Sequence, residues 1–139
     1  MSRLSADVVV IGGGASGMMC SGVAAERGLD VILLEPNKIL GRKLRITGKG
    51  RCKFLTNIPG DGRFLYSALN RLSPHDTMEL FEGLGLKLKT ERGNRVFPVS
   101  DNANDVAGTL QRYMHRNGVR IERCSAKHIL TENSSVVGV

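Results

Sequence analysis

The stretch "DVVVIGGGASG", Asp7 to Gly17, joins a β-branched apolar run to a cluster of glycines. Val8 to Ile11 has the length and composition of a strand buried on both faces of a parallel sheet. Gly12, Gly14 and Gly17 follow in G-x-G-x-x-G spacing. That spacing alone is weak, because turns use glycine freely. Placed after a strand and at the start of a helix, it becomes specific for a dinucleotide. Gly12 permits the tight turn, Gly14 lets the backbone approach a pyrophosphate, and Gly17 lets helix and strand pack closely. Gly13, Ala15 and Ser16 complete the turn, whose N–H groups and helix dipole face a doubly negative group.

Working outward, "ASGMMCSGVAAERG" reads as a helix with Ala15, Met18, Met19, Gly22 and Val23 as its small or apolar positions and Gly28 as its stop. Leu29 to Glu35 ("LDVILLE") is a second buried strand, closed by Pro36. The result is a βαβ unit of the expected size, with an acid at the end of its second strand. Glu35 can accept hydrogen bonds from a ribose 2′-OH and 3′-OH. It would repel a 2′-phosphate, which makes NADP a poor occupant of this pocket. The fold class expected is α/β, a Rossmann-like nucleotide-binding fold with a parallel sheet.

Further along, Ser73-Pro74-His75-Asp76 has the pattern of a helix start, with Ser as N-cap, Pro at the first position and an acid at the third. That helix should end near Glu82 and Gly83. "LKLKTERGNRVFPV" reads as a hairpin turning at Arg92-Gly93-Asn94, with Pro98 on an edge strand. A stronger helix follows Asn102, with Ala103, Val106, Ala107, Leu110, Tyr113 and Met114 on one face and Gly118 beyond its end. "VRIERC", "KHIL" and "VVGV" are strand-like, the last two separated by "TENSS". Residues 1–139 read as one domain, the N-terminal part of a longer protein.

The net charge of +7 is local. Lys38 and the segment "GRKLRITGKGRCK", Gly41 to Lys53, hold seven cations and no acid, and the remaining 13 Lys and Arg cancel the 13 Asp and Glu. A nucleic-acid face would spread its charge further, and aromatic content of 4% leaves little for base stacking, so no nucleic-acid partner is expected. Cys20, Cys52 and Cys124 are far apart and odd in number, which excludes a disulfide framework and suits a reducing cytoplasm. Cations beside Cys52 would lower its thiol pKa, but no partner cysteine is near, so a structural role is expected; Cys20 and Cys124 read as core residues. His75 reads as a surface residue. His115 and His128 have no companion at ligand spacing, so no metal is expected. No apolar run is long enough to span a bilayer, and no membrane partner is expected.

Two further motifs carry a resemblance. Gly41, Arg42, Lys43, Leu44, Thr47, Gly48, Gly50, Arg51, Cys52, Thr56 and Asn57 match G-R-K-L-x-x-[ST]-G-x-G-R-C-N-x-T-N, apart from Lys53 in place of Asn and one extra residue before Thr56-Asn57. Gly93, Arg95, Val96, Phe97, Pro98, Ser100 and Ala103 match G-x-R-V-F-P-x-S-x-x-A. The chain thereby resembles the BaiN-like family of FAD-dependent oxidoreductases. The resemblance implies an extended FAD, its ADP half on the βαβ unit and its pyrophosphate and flavin beside the basic segment. Gly41, Arg42 and Lys43 fall at the phosphate end, Thr47, Gly48 and Arg51 toward the ring, and Ala126 at the adenine edge. It also implies a substrate domain and a C-terminal return to the nucleotide fold, neither of which is in this sequence. Sheet edges left uncovered without those parts would favour self-association.

The implied activity is hydride transfer between flavin and NAD(P)H or a reduced substrate. Catalytic residues and substrate are not identified, as suits chemistry carried by the cofactor. Three alternatives stay open: an NAD-binding dehydrogenase domain, a non-catalytic basic nucleic-acid-binding module, and a truncated product without independent activity.

Overall fold

The computed structural model describes residues 4–54 and 62–139. Thr56 and Asn57, at the end of the first family motif, lie outside the described residues. The chain divides into two compact units, one of Met1–Arg42 with Leu110–Val139, the other of Lys43–Thr109.

In the first unit, β1 (Val8–Ile11), β2 (Val31–Leu34) and β5 (Arg120–Glu122) form a parallel sheet in the order β1-β2-β5. Val8 pairs with Val31 and Ile11 with Leu34, so both strands end level beside the glycine turn. β2, central and paired on both edges, is buried along its whole length. β1 departs from expectation, since Val9 and Ile11 are exposed and only its alternate residues are partly covered. Helix α1 (Ala15–Glu26) crosses between the two strands and buries Met18, Ser21, Gly22 and Ala25, a helical stripe of one face. Cys20 falls off that stripe and is exposed, and so is Cys124; neither is the core residue expected. Gly22 lacks a side chain because the ring of Tyr113 fills the space its Cβ would need. The Tyr113 hydroxyl donates to Glu26 at 2.6 Å, and burial with that carboxylate pushes its pKa up to about 12. β6 (Leu130–Glu132) and β7 (Ser135–Gly138) form a hairpin of their own. Its turn residues Asn133 and Ser134 are both at positive φ, the conformation that suits the twist of paired strands.

The second unit begins at Lys43, inside α2 (Arg42–Gly50), so the expected basic loop begins as a helix. A 3-10 turn over Gly62–Leu65 and α3 (Tyr66–Arg71) follow, and nothing in the sequence pattern marked them. α4 (Pro74–Gly83) starts as expected: Ser73 Oγ accepts from the Asp76 N–H at 3.1 Å, and the Asp76 carboxylate accepts from the Ser73 N–H at 2.8 Å. β3 (Leu88–Glu91) and β4 (Arg95–Pro98) pair antiparallel around Asn94 at φ 53°. Phe54 is bridged to β4 through its N–H to the Val96 carbonyl at 2.9 Å, and its ring meets Phe81 edge-on at 4.9 Å. The final helix, α5 (Ala103–Arg116), buries every residue of its expected apolar face. Residues up to Thr109 belong to this unit and those from Leu110 to the first.

Candidate cofactor site

The glycine turn has the geometry an extended dinucleotide needs. Gly12, at φ 102°, turns the chain where a side chain would be strained, and its N–H donates to the Leu34 carbonyl at 2.8 Å. Gly14 caps α1 without a side-chain hydrogen bond, and the first turn holds no acid. The leading N–H groups of the helix therefore have no side-chain acceptor and carry its positive dipole end. A Cβ at Gly14 would meet nothing within 4 Å, so the space a pyrophosphate requires is open there. A Cβ at Gly17 would instead drive into the carbonyl oxygen of Gly12. Open space at one glycine and close packing at the other are the roles assigned from spacing. Ala15 and Ser16, in the first turn, are exposed.

Glu35 closes the other side of the turn. Its Oε2 accepts from the Gly13 N–H at 2.8 Å, and its Oε1 from the Asn37 N–H at 2.9 Å and the Asn37 side-chain amide. The Asn37 backbone, then the Gly13 backbone, then the Asn37 side chain hold this carboxyl below its ordinary pKa. An ionised carboxylate has about four acceptor positions, and three are used, which leaves capacity for a ribose hydroxyl. Asn37 is the hub that sequence reasoning missed. Its Oδ1 accepts from Arg42 Nη1 at 3.0 Å, and its carbonyl accepts from Arg123 Nη1 at 2.5 Å. The Pro36-Asn37 turn after a strand was the only signal. Gly41, at φ 67°, donates its N–H to the Gly13 carbonyl at 2.8 Å. Gly13, Glu35, Asn37, Gly41 and Arg42 thus form one network in the first unit. Ala126 is half-buried in the same unit, in the irregular segment after β5.

In the second unit the basic segment is shaped by its glycines. α2 leaves the helical region at Thr47 (φ −68°, ψ 152°) and turns left-handed at Gly48 (φ 55°) and Lys49 (φ 57°). Lys49, like Cys52 at φ 56°, carries a side chain that this conformation disfavours by about 1–2 kcal/mol. Lys43, Lys49 and Lys53 are exposed, while Arg45 donates to Asn104 Oδ1 at 2.7 Å. Arg51 is engaged otherwise. Its Nη2 pairs with Glu91, its Nε donates to Asp101 Oδ1 at 2.8 Å, and its guanidinium lies 3.9 Å from the centre of the Phe97 ring. Cys52 is buried, and desolvation pushes its thiol pKa up despite the neighbouring cations, so the expected structural role fits and a reactive thiolate does not. His75 is exposed, 3.3 Å from Glu79. No group of residues suited to a metal ion occurs among the described residues.

The glycine turn, its acceptor-free helix start and the Glu35 carboxylate fit the ADP half of FAD. The motif resemblance has an independent counterpart, because residues 6–139 match the HI0933-like protein Rossmann domain. The chain is 34% identical over 112 residues to the ribosomal RNA dihydrouridine synthase of Escherichia coli, covering 75% of this chain and 28% of that protein. It is 27% identical to the enzyme of the same name from Haemophilus influenzae over 129 residues, covering 87% of this chain and 31% of that protein. The chain therefore spans about a third or less of these relatives. Among solved structures, THI4 of Thermovibrio ammonificans superposes with a TM-score of 0.66 at 15% identity, covering 94% of this chain and 44% of that one, a likeness of fold. The α/β, Rossmann-like class is borne out, and with nearly the whole chain matched, this protein belongs to the HI0933-like (BaiN-like) family of FAD-binding oxidoreductases.

Proposed function

We propose that this chain is the FAD-holding part of a flavin-dependent reductase that acts on uracil bases of ribosomal RNA. The single observation that carries the FAD assignment is the pairing of an open Gly14 helix start with a Glu35 carboxylate fixed 2.8 Å from the Gly13 N–H. Gly12 to Gly17 would bind the pyrophosphate, Glu35 the ribose, and Gly41, Arg42 and Lys43 the phosphate end. Thr47 and Gly48 would lie toward the ring, and Ala126 at the adenine edge. FAD supplies hydride transfer when bound, and NAD(P)H is the candidate electron donor. The chain's own residues bind and orient, and none of them is assigned a proton transfer.

The substrate reading rests on the relative at 34% identity, whose name states ribosomal RNA dihydrouridine synthesis. Dihydrouridine is uridine with its 5,6 double bond reduced, a two-electron change that suits a flavin. On this reading RNA would be a partner of the whole protein, where composition led to the expectation of no nucleic-acid partner for this segment. This segment keeps its cofactor role, since its excess positive charge is concentrated between Lys38 and Lys53 and its aromatic content is 4%. The cytoplasm is the compartment that fits such a substrate; no helix of the described residues is long and apolar enough to cross a membrane. The outer edge of β1, unpaired among the described strands, is the proposed route of self-association.

Incubation of the protein with FAD, FMN or NAD in turn, followed by gel filtration and an absorption spectrum, tests the cofactor. Retention of FAD without FMN supports binding through the ADP half. Retention of FMN alone, or of NAD in preference to FAD, overturns it.

A further inference from the structure

The turn that carries Gly-Lys-Gly-Arg-Cys holds two of its residues, Lys49 and Cys52, in a conformation that favours glycine. Gly48, Lys49, Gly50 and Cys52 have φ of 55°, 57°, 79° and 56°. Non-glycine residues at positive φ persist only where their surroundings over-determine them, and they concentrate at functional sites. Arg51 stands inside this run, and its side chain reaches out of the turn to three separate supports. Glu91 belongs to β3, Phe97 to β4, and Asp101 to the bend after β4. Lys89 Nζ, 2.6 Å from Asp101 and 3.6 Å from Glu91, completes a cluster of two cations and two anions. Cys52 adds a fourth restraint, its N–H donating to the Thr47 carbonyl at 3.0 Å across the turn.

A guanidinium offers five donors in one plane. Here Nε and Nη2 are taken by carboxylates and one face by an aromatic ring, so the charge is neutralised from within the chain. Donors on Nη1 and Nη2 remain, but a phosphate taking them would sit beside the Glu91 and Asp101 carboxylates, which repel it and already neutralise the guanidinium. Lys43, Lys49 and Lys53 are exposed and bear no such burden.

We infer that Arg51 is a positioning residue of the cofactor site, a clamp that fixes the Gly48–Lys53 turn, and not itself a ligand of the cofactor. The inference rests on the FAD reading for what the turn serves, but not for the clamp itself. It also joins the two family motifs physically: the "GRC" arginine of the first is seated on the Phe97 of the second, beside an acid just ahead of it. Glu91 and Asp101 thereby acquire a role in cofactor binding that their negative charge would never suggest.

Arg51→Gln, Arg51→Lys and Glu91→Gln, prepared in the full-length product of the gene, separate a clamp from a ligand. Amide exchange over residues 48–54, read without FAD, should rise in all three, with the melting temperature little changed. In FAD titrations followed by flavin fluorescence, Glu91→Gln should weaken binding about tenfold, as Arg51→Gln does, and the double variant should be no weaker than either alone. Lysine should fail to rescue, because it cannot engage two acids and a ring together. The salt dependence of Kd should be the same in Arg51→Gln as in the wild type.

A ligand role predicts the reverse: Glu91→Gln neutral or tighter, partial rescue by lysine, and a shallower salt slope for Arg51→Gln. Those results, or unchanged exchange in the turn, overturn the clamp. Loss of FAD binding by the wild type itself would refute the FAD reading, while exchange would still decide the clamp. If Arg51→Gln fails to fold, Lys89→Met, which loosens Asp101 more gently, should raise exchange in the same turn, and its failure to do so counts against the clamp.

Discussion

At Gly17 a single added carbon would collide with the backbone carbonyl of Gly12, an atom that cannot swing aside as a side chain can. Gly17→Ala should therefore abolish FAD retention and cost about 1–3 kcal/mol in urea unfolding, the usual penalty for overpacking. Glycine roles of this kind are legible in spacing, because the turn allows few alternatives. Arginine roles are not. Arg42, Arg45 and Arg51 look alike in the sequence, yet they engage Asn37, Asn104 and the Glu91–Asp101 pair. Arg42 finds its partner 5 residues away, but those of Arg45 and Arg51 lie 59 and up to 50 residues away, beyond the reach of any local pattern. Cysteine reads no better, since Cys20 and Cys124 prove exposed and Cys52 buried. A thiol reagent on the native protein should modify Cys20 and Cys124 readily. It should reach Cys52 at least about tenfold more slowly, a difference that disappears in denaturant.

Among the elements, α4 shows how local chemistry sets a boundary. Ser73 and Asp76 exchange hydrogen bonds across the first turn, and Pro74 fits where no N–H is needed. Ser73→Ala should lower stability by about 1 kcal/mol in a urea titration and leave FAD affinity unchanged. The hairpin β3–β4 was equally legible from its turn residues, but its contribution to the basic segment was not, because Arg51 meets Glu91 and Asp101 across 40 and 50 residues of chain, far outside the window in which periodicity is read. Glu35, Asp76, Glu91 and Asp101 all have carboxyls held below their ordinary values by hydrogen bonds and cations in the folded state. A depressed folded pKa gives stability that is complete above the unfolded range near pH 4 and is lost as pH falls through the folded values. The urea midpoint should thus be flat from about pH 7 to 5 and fall below about pH 4, less steeply in Glu91→Gln.

Over the whole molecule, the parallel order β1-β2-β5 and the burial of β2 follow from two apolar runs and a glycine turn, which is why the fold class could be read early. The division into two units could not, since the second is an insertion between β2 and β5 whose own core, around Phe54, Phe81 and Phe97, is assembled from scattered residues. Half-burial of β1 was likewise hidden: its composition states that it can be covered on both faces, not that this chain covers it. On the proposed reading, the first unit seats the ADP half of FAD on the glycine turn and Glu35. The most direct measurement is an FAD titration of the full-length protein by flavin fluorescence, with ADP as competitor and Glu35→Gln beside the wild type. Titration should saturate at one FAD per chain, ADP should displace the flavin, and Glu35→Gln should bind about tenfold or more weakly, as expected when a charged acceptor is lost. Saturation that ADP does not touch and Glu35→Gln does not weaken would contradict that reading.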